Sequence, residues 1–193
     1  NHTIDTGNIV DYNKKIYYND SISNYVYNLT TAPDAGTLIC SYCDNIEVND
    51  LNLSHRNVAG VYFYETNNSK VNNVISKSNF YGVFLEEGSN NLFSNMFMNS
   101  SIDVDVYMRP YAINNTFLNA SYTTEDVTGA DTELFRKWYY RAYVNDTGGN
   151  PIESANVSGW NSSEEPQFSE LTNSSGFTPT MQWLIDYVNN GTD

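Results

Sequence analysis

The chain has 193 residues, 16 of them Tyr, and its 9 Lys and Arg against 23 Asp and Glu give a formal net charge of -14. A surface that binds nucleic acid needs clustered Lys and Arg, whereas the nine here are scattered, so the composition excludes nucleic acid as a partner. No stretch approaches the roughly 20 apolar residues of a membrane span. The acidity favours a soluble surface that repels anions and attracts cations.

The first 35 residues contain strand-forming runs such as Lys15-Ile16-Tyr17-Tyr18 and Tyr25-Val26-Tyr27, but these runs have no fixed spacing. A solenoid needs an atypical terminal turn that covers its open end. We therefore interpret residues 1–35 as the N-terminal cap of the repetitive region that follows.

Residues 36–122 are repetitive. An apolar residue, a polar residue and then Asn or Asp recur with third positions 23, 22 and 20 residues apart, and Gly60-Val61 is answered by Gly82-Val83. A period near 20 residues, made of short alternating strands and Asn or Gly corners, is typical of a solenoid. We predict an all-β fold whose main part is a parallel β-helix. The recurring triplets are Val48-Asn49-Asp50, Val71-Asn72-Asn73, Phe93-Ser94-Asn95 and Ile113-Asn114-Asn115.

The repeated Asn predicts a ladder of side chains inside the coil. Equivalent residues on successive turns of a β-helix lie roughly 4.8 Å apart, so an Asn amide can donate to one neighbour and accept from the next. Asn also tolerates the left-handed backbone of a sharp corner. The ladder is expected to run through Asp50, Asn73, Asn95 and Asn115.

Cys40 and Cys43 form a C-x-x-C motif, which suits redox chemistry or half of a zinc site. The two His residues, His2 and His55, show no matching ligand spacing. On an alternating strand, residues three apart point to opposite faces, which argues against a disulfide unless a turn intervenes. We expect both thiols to pack as small apolar groups, with no metal bound.

Acidic and aromatic residues recur at related points of successive turns and predict an outer wall of the coil. Paired carboxylates there suit glycoside hydrolysis or a Ca²⁺ site, and aromatic rings beside acids suit a groove for a neutral sugar. A solvated acidic wall is the simpler interpretation. Glu65 lies on this wall only if a corner interrupts the strand, since strict alternation turns it inward. The wall residues are Tyr62, Tyr64, Glu65, Glu86, Glu87, Asp105 and Tyr107, with Asp103, Arg109 and Phe84 close by.

Residues 123–134 are small and polar and are read as a linker, and residues 135–193 as a small, incomplete immunoglobulin-like β-sandwich. That segment falls short of the roughly 100 residues of such a domain. Four of its aromatic side chains would then remain uncovered, which predicts contact with other copies or a neighbouring protein. These side chains are Trp160, Phe177, Trp183 and Tyr187.

Thirteen N-x-[ST] triplets fit a secreted glycoprotein better than a cytosolic enzyme. The chain begins without an initiator Met, and we expect a mature or excised piece of something longer. Two triplets start at the terminal positions Asn1 and Asn190. The glycosylation candidates are Asn19, Asn28, Asn52, Asn67, Asn99, Asn114, Asn119, Asn145, Asn156, Asn161 and Asn173.

The runs from Gly36 to Val48, Gly82 to Leu85 and Asn114 to Asn119 resemble the NosD-like, CASH-type right-handed β-helix repeats. The tail, with Gly149-Asn150-Pro151-Ile152 and Leu171 to Gly176, looks like the carboxypeptidase-regulatory-like sandwich that often follows them. The resemblance implies a source among secreted and surface proteins of methanogenic archaea. It implies a fold more than a function, because these repeats serve enzymes and inert scaffolds alike.

Two functions follow as expectations. The first is a non-catalytic secreted or cell-surface module that acts as a structural or adhesive scaffold in an archaeal envelope or extracellular assembly, without a cofactor. The second is a carbohydrate-binding or carbohydrate-cleaving β-helix fragment that uses the Glu65, Glu87 and Asp105 wall. A lyase needs paired basic groups across neighbouring turns, and copper binding needs Met and His clusters, and neither pattern is present in the sequence.

Overall fold

The computed structural model describes residues 9–10, 13–99 and 101–191. The chain divides into two compact units, one formed by the chain up to Lys137 together with Ile185 onward, the other by Trp138–Leu184. The strands are β1 (Ile9–Val10), β2 (Lys14–Asp20), β3 (Val26–Tyr27), β4 (Ala35–Ser41), β5 (Glu47–Asn49), β6 (Ala59–Tyr64), β7 (Lys70–Asn72), β8 (Tyr81–Glu86), β9 (Leu92–Ser94), β10 (Val104–Met108), β11 (Asn115–Leu118), β12 (Glu125–Val127), β13 (Glu133–Tyr140), β14 (Asn156–Trp160), β15 (Pro166–Leu171) and β16 (Gln182–Asn190).

The first unit is a β-solenoid of about 6 turns, which confirms the predicted parallel β-helix. Its first sheet has the strand order β1-β2-β4-β6-β8-β10-β12, and its second sheet has the order β16-β13-β11-β9-β7-β5-β3. From β2 to β13 the chain therefore alternates between the sheets and returns one turn further along. The pairs between successive turns are parallel, as in β4 with β6 and β5 with β7.

The interior is built from columns of apolar side chains that the register places directly above one another. One column in the first sheet joins Cys40, Phe63, Leu85 and Met108, all of which are fully buried. A column in the second sheet joins Val48, Val71, Phe93 and Phe117, and the rings of the last two stack with centroids 4.8 Å apart. Each turn thus buries its apolar face against the next, which is how a solenoid forms a core from short strands.

The repeated Gly-Val phrase is explained by close packing against the neighbouring backbone. A Cβ on Gly60 would lie 2.8 Å from the carbonyl oxygen of Leu53, and a Cβ on Gly82 would lie 2.5 Å from that of Asp105. Only glycine fits where two backbones approach this closely.

Each turn bends at residues that adopt the left-handed backbone, and these residues lie in columns. The first corner, after the first sheet, carries Tyr42, Glu65, Glu87 and Tyr111. The second corner, before the second sheet, carries Asn45, Asn68, Asn90 and Asn114. The third corner, after the second sheet, carries Asp50, Asn73, Asn95 and Asn119. Asn dominates the last two columns because it tolerates this backbone and bonds its neighbours.

The predicted Asn ladder is confirmed for the first step only. The Nδ2 of Asn73 donates to Oδ1 of Asp50 at 2.7 Å, whereas Asn95 donates to Asn72 rather than Asn73, at 2.9 Å. Asn115 was wrongly placed in this column, since Asn119 follows Asn95 and donates to it at 2.8 Å. The ladder also lies on the exposed surface of the third corner rather than inside the coil.

Asn115 belongs instead to a buried ladder beside the second corner. Its Oδ1 accepts from the Nδ2 of Asn91 at 3.0 Å and from the backbone N–H of Asn91 at 3.1 Å. Its own Nδ2 donates to the carbonyl of Gly88 at 2.9 Å. The sequence-based alignment was wrong because the second and third corners both carry Asn. The triplet pattern therefore aligned Asn115, next to the second corner, with Asn residues of the third corner.

The coil goes on beyond the predicted boundary at Tyr122. Residues 123–134, expected to be a linker, contain β12, which pairs in parallel with β10. Strand β13, expected in the sandwich, pairs in parallel with β11, and β16 lies next to β13 in the second sheet. The strand character of residues 125–127 was missed because their alternation is too short to stand out from a polar segment.

The predicted N-terminal cap lies partly outside the described residues. Within residues 13–35, β2 and β3 already form a turn of the coil, and β1 adds an antiparallel strand to β2. The outer edge of β3 is closed by Thr31, whose Oγ1 donates to the carbonyl of Val26 at 2.8 Å and accepts from the N–H of Asn28 at 2.9 Å. These bonds satisfy backbone groups that would otherwise offer a template to another strand.

In the second unit, β14 and β15 form an antiparallel hairpin with a register shift at Gly159/Trp160. Isolated antiparallel bridges join Tyr143 to Phe177 and Asn145 to Pro151. The hairpin agrees with an all-β segment, while the immunoglobulin-like sandwich stays a prediction. Across the described ranges, no helix is long and apolar enough to span a bilayer.

Candidate functional site

The predicted wall begins with a column of aromatic rings on the outer face of the first sheet. Tyr62, Phe84 and Tyr107 are register partners on three successive turns. The rings of Tyr62 and Phe84 stack at 4.5 Å with an interplanar angle of 10°, and those of Phe84 and Tyr107 lie 5.0 Å apart at 41°. Because stacked rings cover each other's faces, this column presents mainly ring edges to solvent.

Tyr81 also joins this column, although it was not among the predicted wall residues. Its ring stacks on Tyr107 at 4.6 Å and 15°, and lies 5.3 Å from Phe84. It stands immediately before Gly82, whose missing side chain marks a close approach, and the register skips Gly82. A repeated Gly inside a strand pattern is the signal that the alternation changes there.

Glu86 and Arg109 close one end of the column. The hydroxyl of Tyr62 donates to Oε2 of Glu86 at 2.9 Å, and burial together with this bond raises the pKa of Tyr62. The Nε of Arg109 lies 3.9 Å from Oε1 of Glu86, and its guanidinium donates to the hydroxyl of Tyr107 at 3.2 Å. The carboxylate is thus held by a phenol and a cation of its own chain.

Asp105 is not part of the wall, which corrects the sequence-based assignment. Its side chain is buried, with an exposed fraction of 1%. One oxygen accepts from the N–H of Ser101 at 3.1 Å; the other accepts from the N–H and Oγ1 of Thr123 at 2.8 and 3.0 Å and from the N–H of Thr124 at 3.4 Å. These bonds fasten one turn of the coil to the next.

Glu65 and Glu87 lie one turn apart at the first corner, both with left-handed backbone. The corner that Glu65 needs in order to escape the interior therefore exists. Tyr64 precedes it and meets the ring of Tyr42 edge-on at 5.2 Å. A hydrogen bond with Tyr42 and a second with Glu65 raise the pKa of Tyr64. The structure thus brings together Tyr62, Glu86 and Tyr107, and separately Tyr64 and Glu65, but not Asp105.

An apolar groove that was not predicted lies just before strands β6, β8 and β10. Its exposed side chains Val58, Phe80 and Ile102 stand on successive turns, 22 residues apart, with exposed fractions of 69%, 43% and 65%. The N–H of Tyr81 bonds the carbonyl of Val58, and the N–H of Asp103 bonds that of Phe80, so these turns are in register. The groove has a volume of about 620 Å³ and is lined by Arg56, Asn57, Val58, Phe80, Tyr81 and Ile102.

Asn57 is the buried polar residue of this groove. Its Nδ2 donates to the carbonyl of Gly36 at 2.8 Å and to Oδ1 of Asn79 at 3.0 Å. Its own Oδ1 is buried and has no hydrogen-bond partner among the described residues. The groove therefore combines an apolar column, an aromatic ring and an amide, which is the usual lining of a small-ligand site.

Cys40 and Cys43 are both free and buried in the core, as expected for small apolar groups. The intervening turn that would keep them off opposite faces is present. Tyr42 between them adopts the left-handed backbone of the first corner, so both side chains end in the interior. Within the described ranges no three His, Cys, Asp or Glu side chains converge where they would hold a metal ion.

None of the eleven central glycosylation candidates is buried. In the Asn99 triplet, Ser100 lies outside the described residues. Asn114 and Asn119 use their Nδ2 atoms in corner bonds to Asn90 and Asn95. The terminal triplet at Asn1 also lies outside the described residues, as does Thr192 of the triplet at Asn190. The exposed candidates are Asn52, Asn114, Asn119, Asn145, Asn156, Asn161 and Asn173.

No family model matches this chain, and comparisons with characterised proteins and with solved structures found no significant match. The class that the fold defines is a β-solenoid with a parallel β-helix coil.

Proposed function

We propose that this chain is a non-catalytic β-helix module that acts as a structural or adhesive scaffold in a secreted or cell-surface assembly. The single observation that carries the proposal is the dispersal of the acidic wall. Glu86 is bound by Tyr62 and Arg109, and Asp105 is buried among four backbone and hydroxyl donors. An acid and a base that share one substrate cleft are the minimum for glycoside hydrolysis, and the bound Glu86 and the buried Asp105 do not form such a pair.

Assays of reducing-end and unsaturated products across a panel of acidic and neutral glycans test the absence of catalysis. The expected result is no turnover by the full chain. Glu86→Gln and Glu87→Gln are matched controls from the wall. Turnover that disappears in either variant would replace the scaffold proposal by the enzyme.

Finer features of the proposal rest on the resemblance and on composition. We propose a right-handed coil of the NosD-like, CASH type, an archaeal envelope or extracellular setting, and N-glycans on the exposed Asn residues. We also propose that the second unit is part of an immunoglobulin-like sandwich. Its support is the hairpin of β14 with β15 and the antiparallel bridge of Tyr143 with Phe177.

Contact with other copies or a neighbouring protein is proposed from the exposed aromatic residues of the second unit. Trp160 and Trp183 have exposed fractions of 62% and 50%. Phe177 instead packs on Tyr143 at 4.8 Å, and the hydroxyl of Tyr187 donates to Glu125 in the coil, so these two do not support it. Sedimentation of the full chain should show concentration-dependent association that Trp160→Ser weakens. A compact monomer at every concentration would contradict this part.

Carbohydrate binding is the second candidate function, and the groove at Phe80 favours it. Unlike the stacked rings of Tyr62 and Phe84, Phe80 meets its aromatic neighbour Tyr81 edge-on, at 4.9 Å and 89°. An aromatic ring beside an amide and a guanidinium suits a sugar with one apolar face and several hydroxyls. Calorimetric titration with neutral oligosaccharides tests it. Phe80→Ala should abolish the heat of binding and Tyr111→Ala, at an exposed corner, should not.

A further inference from the structure

The C-x-x-C motif spans the first corner of the second turn, and the corner decides where its thiols lie. Cys40, near the end of β4, pairs with Phe63 and occupies the central column of the core. Tyr42 then turns the backbone with φ of 55°, and Cys43 returns to the interior with an exposed fraction of 1%. Both sulfur atoms thus enter the same region of the core.

The sulfur of Cys43 contacts the residue that pairs with Cys40. The thiol of Cys43 donates to the carbonyl oxygens of Ser41 and Asn19, at sulfur–oxygen distances of 3.3 Å and 3.8 Å. Asn19 is the residue of β2 that pairs directly with Cys40. Asn19 of the preceding turn therefore lies against both cysteines, and the corner places their side chains in one region of the core.

The two thiols differ in their acidity. The hydrogen bond from Cys40 lowers the pKa of Cys43 to about 7, although burial opposes this shift. The same bond and nearly complete burial raise the pKa of Cys40 well above its ordinary value. Cys43 is therefore the thiol of the pair that ionises as the pH rises through about 7, and Cys40 stays protonated. A thiolate beside a thiol is the state in which C-x-x-C pairs react with oxidants.

Tyr27 belongs to the same buried cluster. Its hydroxyl is buried and has no hydrogen-bond partner among the described residues. Burial, and to a lesser extent the nearby thiols, raise the pKa of Tyr27, so its hydroxyl stays protonated. The core beside the pair thus holds one buried hydroxyl that finds no hydrogen-bond partner among the described residues.

We propose that Cys40 and Cys43 form a redox-active dithiol that hydrogen peroxide closes to an intramolecular disulfide. The thiolate of Cys43 attacks one peroxide oxygen, the O–O bond breaks, and the leaving hydroxide takes up the proton that Cys43 released. The resulting sulfenic acid is attacked by the sulfur of Cys40, the S–O bond breaks, and water leaves with the Cys40 proton. Two thiols are oxidised by two electrons, and one peroxide is reduced to two waters.

Hydrogen peroxide is the oxidant chosen for this proposal because it is small and uncharged, and both sulfurs are buried. The assignment is independent of the scaffold proposal, since it depends only on the geometry of one corner. Its failure would leave the scaffold proposal unaffected, and the converse also holds.

The test uses the full chain, reduced and folded, treated with hydrogen peroxide at neutral pH, then unfolded and alkylated with a maleimide. The expected result is loss of both alkylatable thiols, a mass lower by two hydrogens, and a peptide linked between Cys40 and Cys43. The rate should rise as the pH passes through about 7, where the Cys43 thiolate forms.

Two variants separate the roles of the thiols. Cys40→Ser should stop at a sulfenic acid on Cys43 that dimedone traps, and Cys43→Ser should be oxidised at least about tenfold more slowly. Two intact thiols in the wild-type chain, at a peroxide dose that oxidises the same chain in urea, would overturn the proposal. Oxidation of Cys43 to sulfinic acid without a link to Cys40 in the wild-type chain would overturn it as well.

Discussion

Asn91 and Asn115 lie one turn apart inside the coil, and the Nδ2 of Asn91 donates to Oδ1 of Asn115 at 3.0 Å. Asn91 also donates to the carbonyl of Thr66 at 2.8 Å and accepts from the N–H of Ser69 at 2.9 Å. Its side chain is 1% exposed, so these bonds replace water for three neighbouring turns. The pair ties the second corner together where no apolar side chain could do so.

Replacing Asn91 by Leu should lower the free energy of unfolding by about 3 kcal/mol, because it leaves a buried N–H and a buried carbonyl without partners. The matched control is Asn52→Leu, at an exposed position outside the left-handed corners, expected to cost less than about 1 kcal/mol. Equilibrium unfolding in urea measures both. Equal costs for the two variants would show that the buried ladder does not stabilise the coil.

Gly82→Ala should destabilise the coil by about 1–3 kcal/mol, since the new Cβ would press on the backbone of the next turn. The carbonyl oxygen of Asp105 lies 2.5 Å from the position that this Cβ would take. Gly148→Ala, whose Cβ would meet only side chains in an exposed turn, serves as the control. Thermal unfolding followed by circular dichroism would reveal the difference, and an unchanged midpoint for Gly82→Ala would refute the close approach.

Asp105→Asn should reduce stability by about 1–3 kcal/mol, because the amide offers an N–H₂ group where several donors converge on a carboxylate. Asp103→Asn, two residues away and exposed, is the isosteric control and should be nearly neutral. Urea unfolding again gives the comparison. If both variants unfold at the same urea concentration as the parent chain, the bonds from Thr123 and Thr124 contribute nothing.

Acid should weaken the first turn through Asp34. Hydrogen bonds from Lys15, the larger cause, and Tyr17 lower the pKa of Asp34 below its ordinary value of 3.8, and the Lys15 Nζ lies 2.8 Å from Oδ2. A carboxyl whose folded pKa is lowered stabilises the fold fully above its unfolded pKa, and loses that effect as the pH falls through the folded value. Stability measured from pH 5 downward should therefore decline, and less steeply in Asp34→Asn.

Lys15→Met is the companion variant for this pH dependence, since it removes the larger cause of the lowered pKa. It should flatten the acid limb in the same way as Asp34→Asn. An acid limb that both variants leave unchanged would place the pH sensitivity on other groups.

The fold was predictable because a solenoid repeats one local pattern. Short runs such as Gly82-Val83-Phe84-Leu85 indicate the alternation within one strand, and a period near 22 residues predicts that successive turns stack. The aromatic part of the wall followed from the same logic, since Tyr62 and Tyr107 share a column when the period holds.

The candidate site was less predictable because the corners decide whether a side chain faces the core or the solvent. Tyr42 and Glu65 adopt a left-handed backbone that local pattern associates with Asn or Gly, so Cys43 and Glu65 could not be assigned a side from alternation. The sequence pattern placed Asp105 on the wall. Its hydrogen-bond donors Thr123 and Thr124 come from the next turn, and they hold its carboxylate in the interior.

The sequence by itself therefore determined the class of fold, the apolar columns and the residue types of the corners, because each is a property of one turn repeated. Only the tertiary structure decided which Asn lies above which, that the coil continues through β12 and β13, and that Val58, Phe80 and Ile102 line one groove. The physical reason is that turns differ in length. Each added or missing residue shifts the register between turns, and that register is fixed by packing and hydrogen bonds across the coil rather than along the chain.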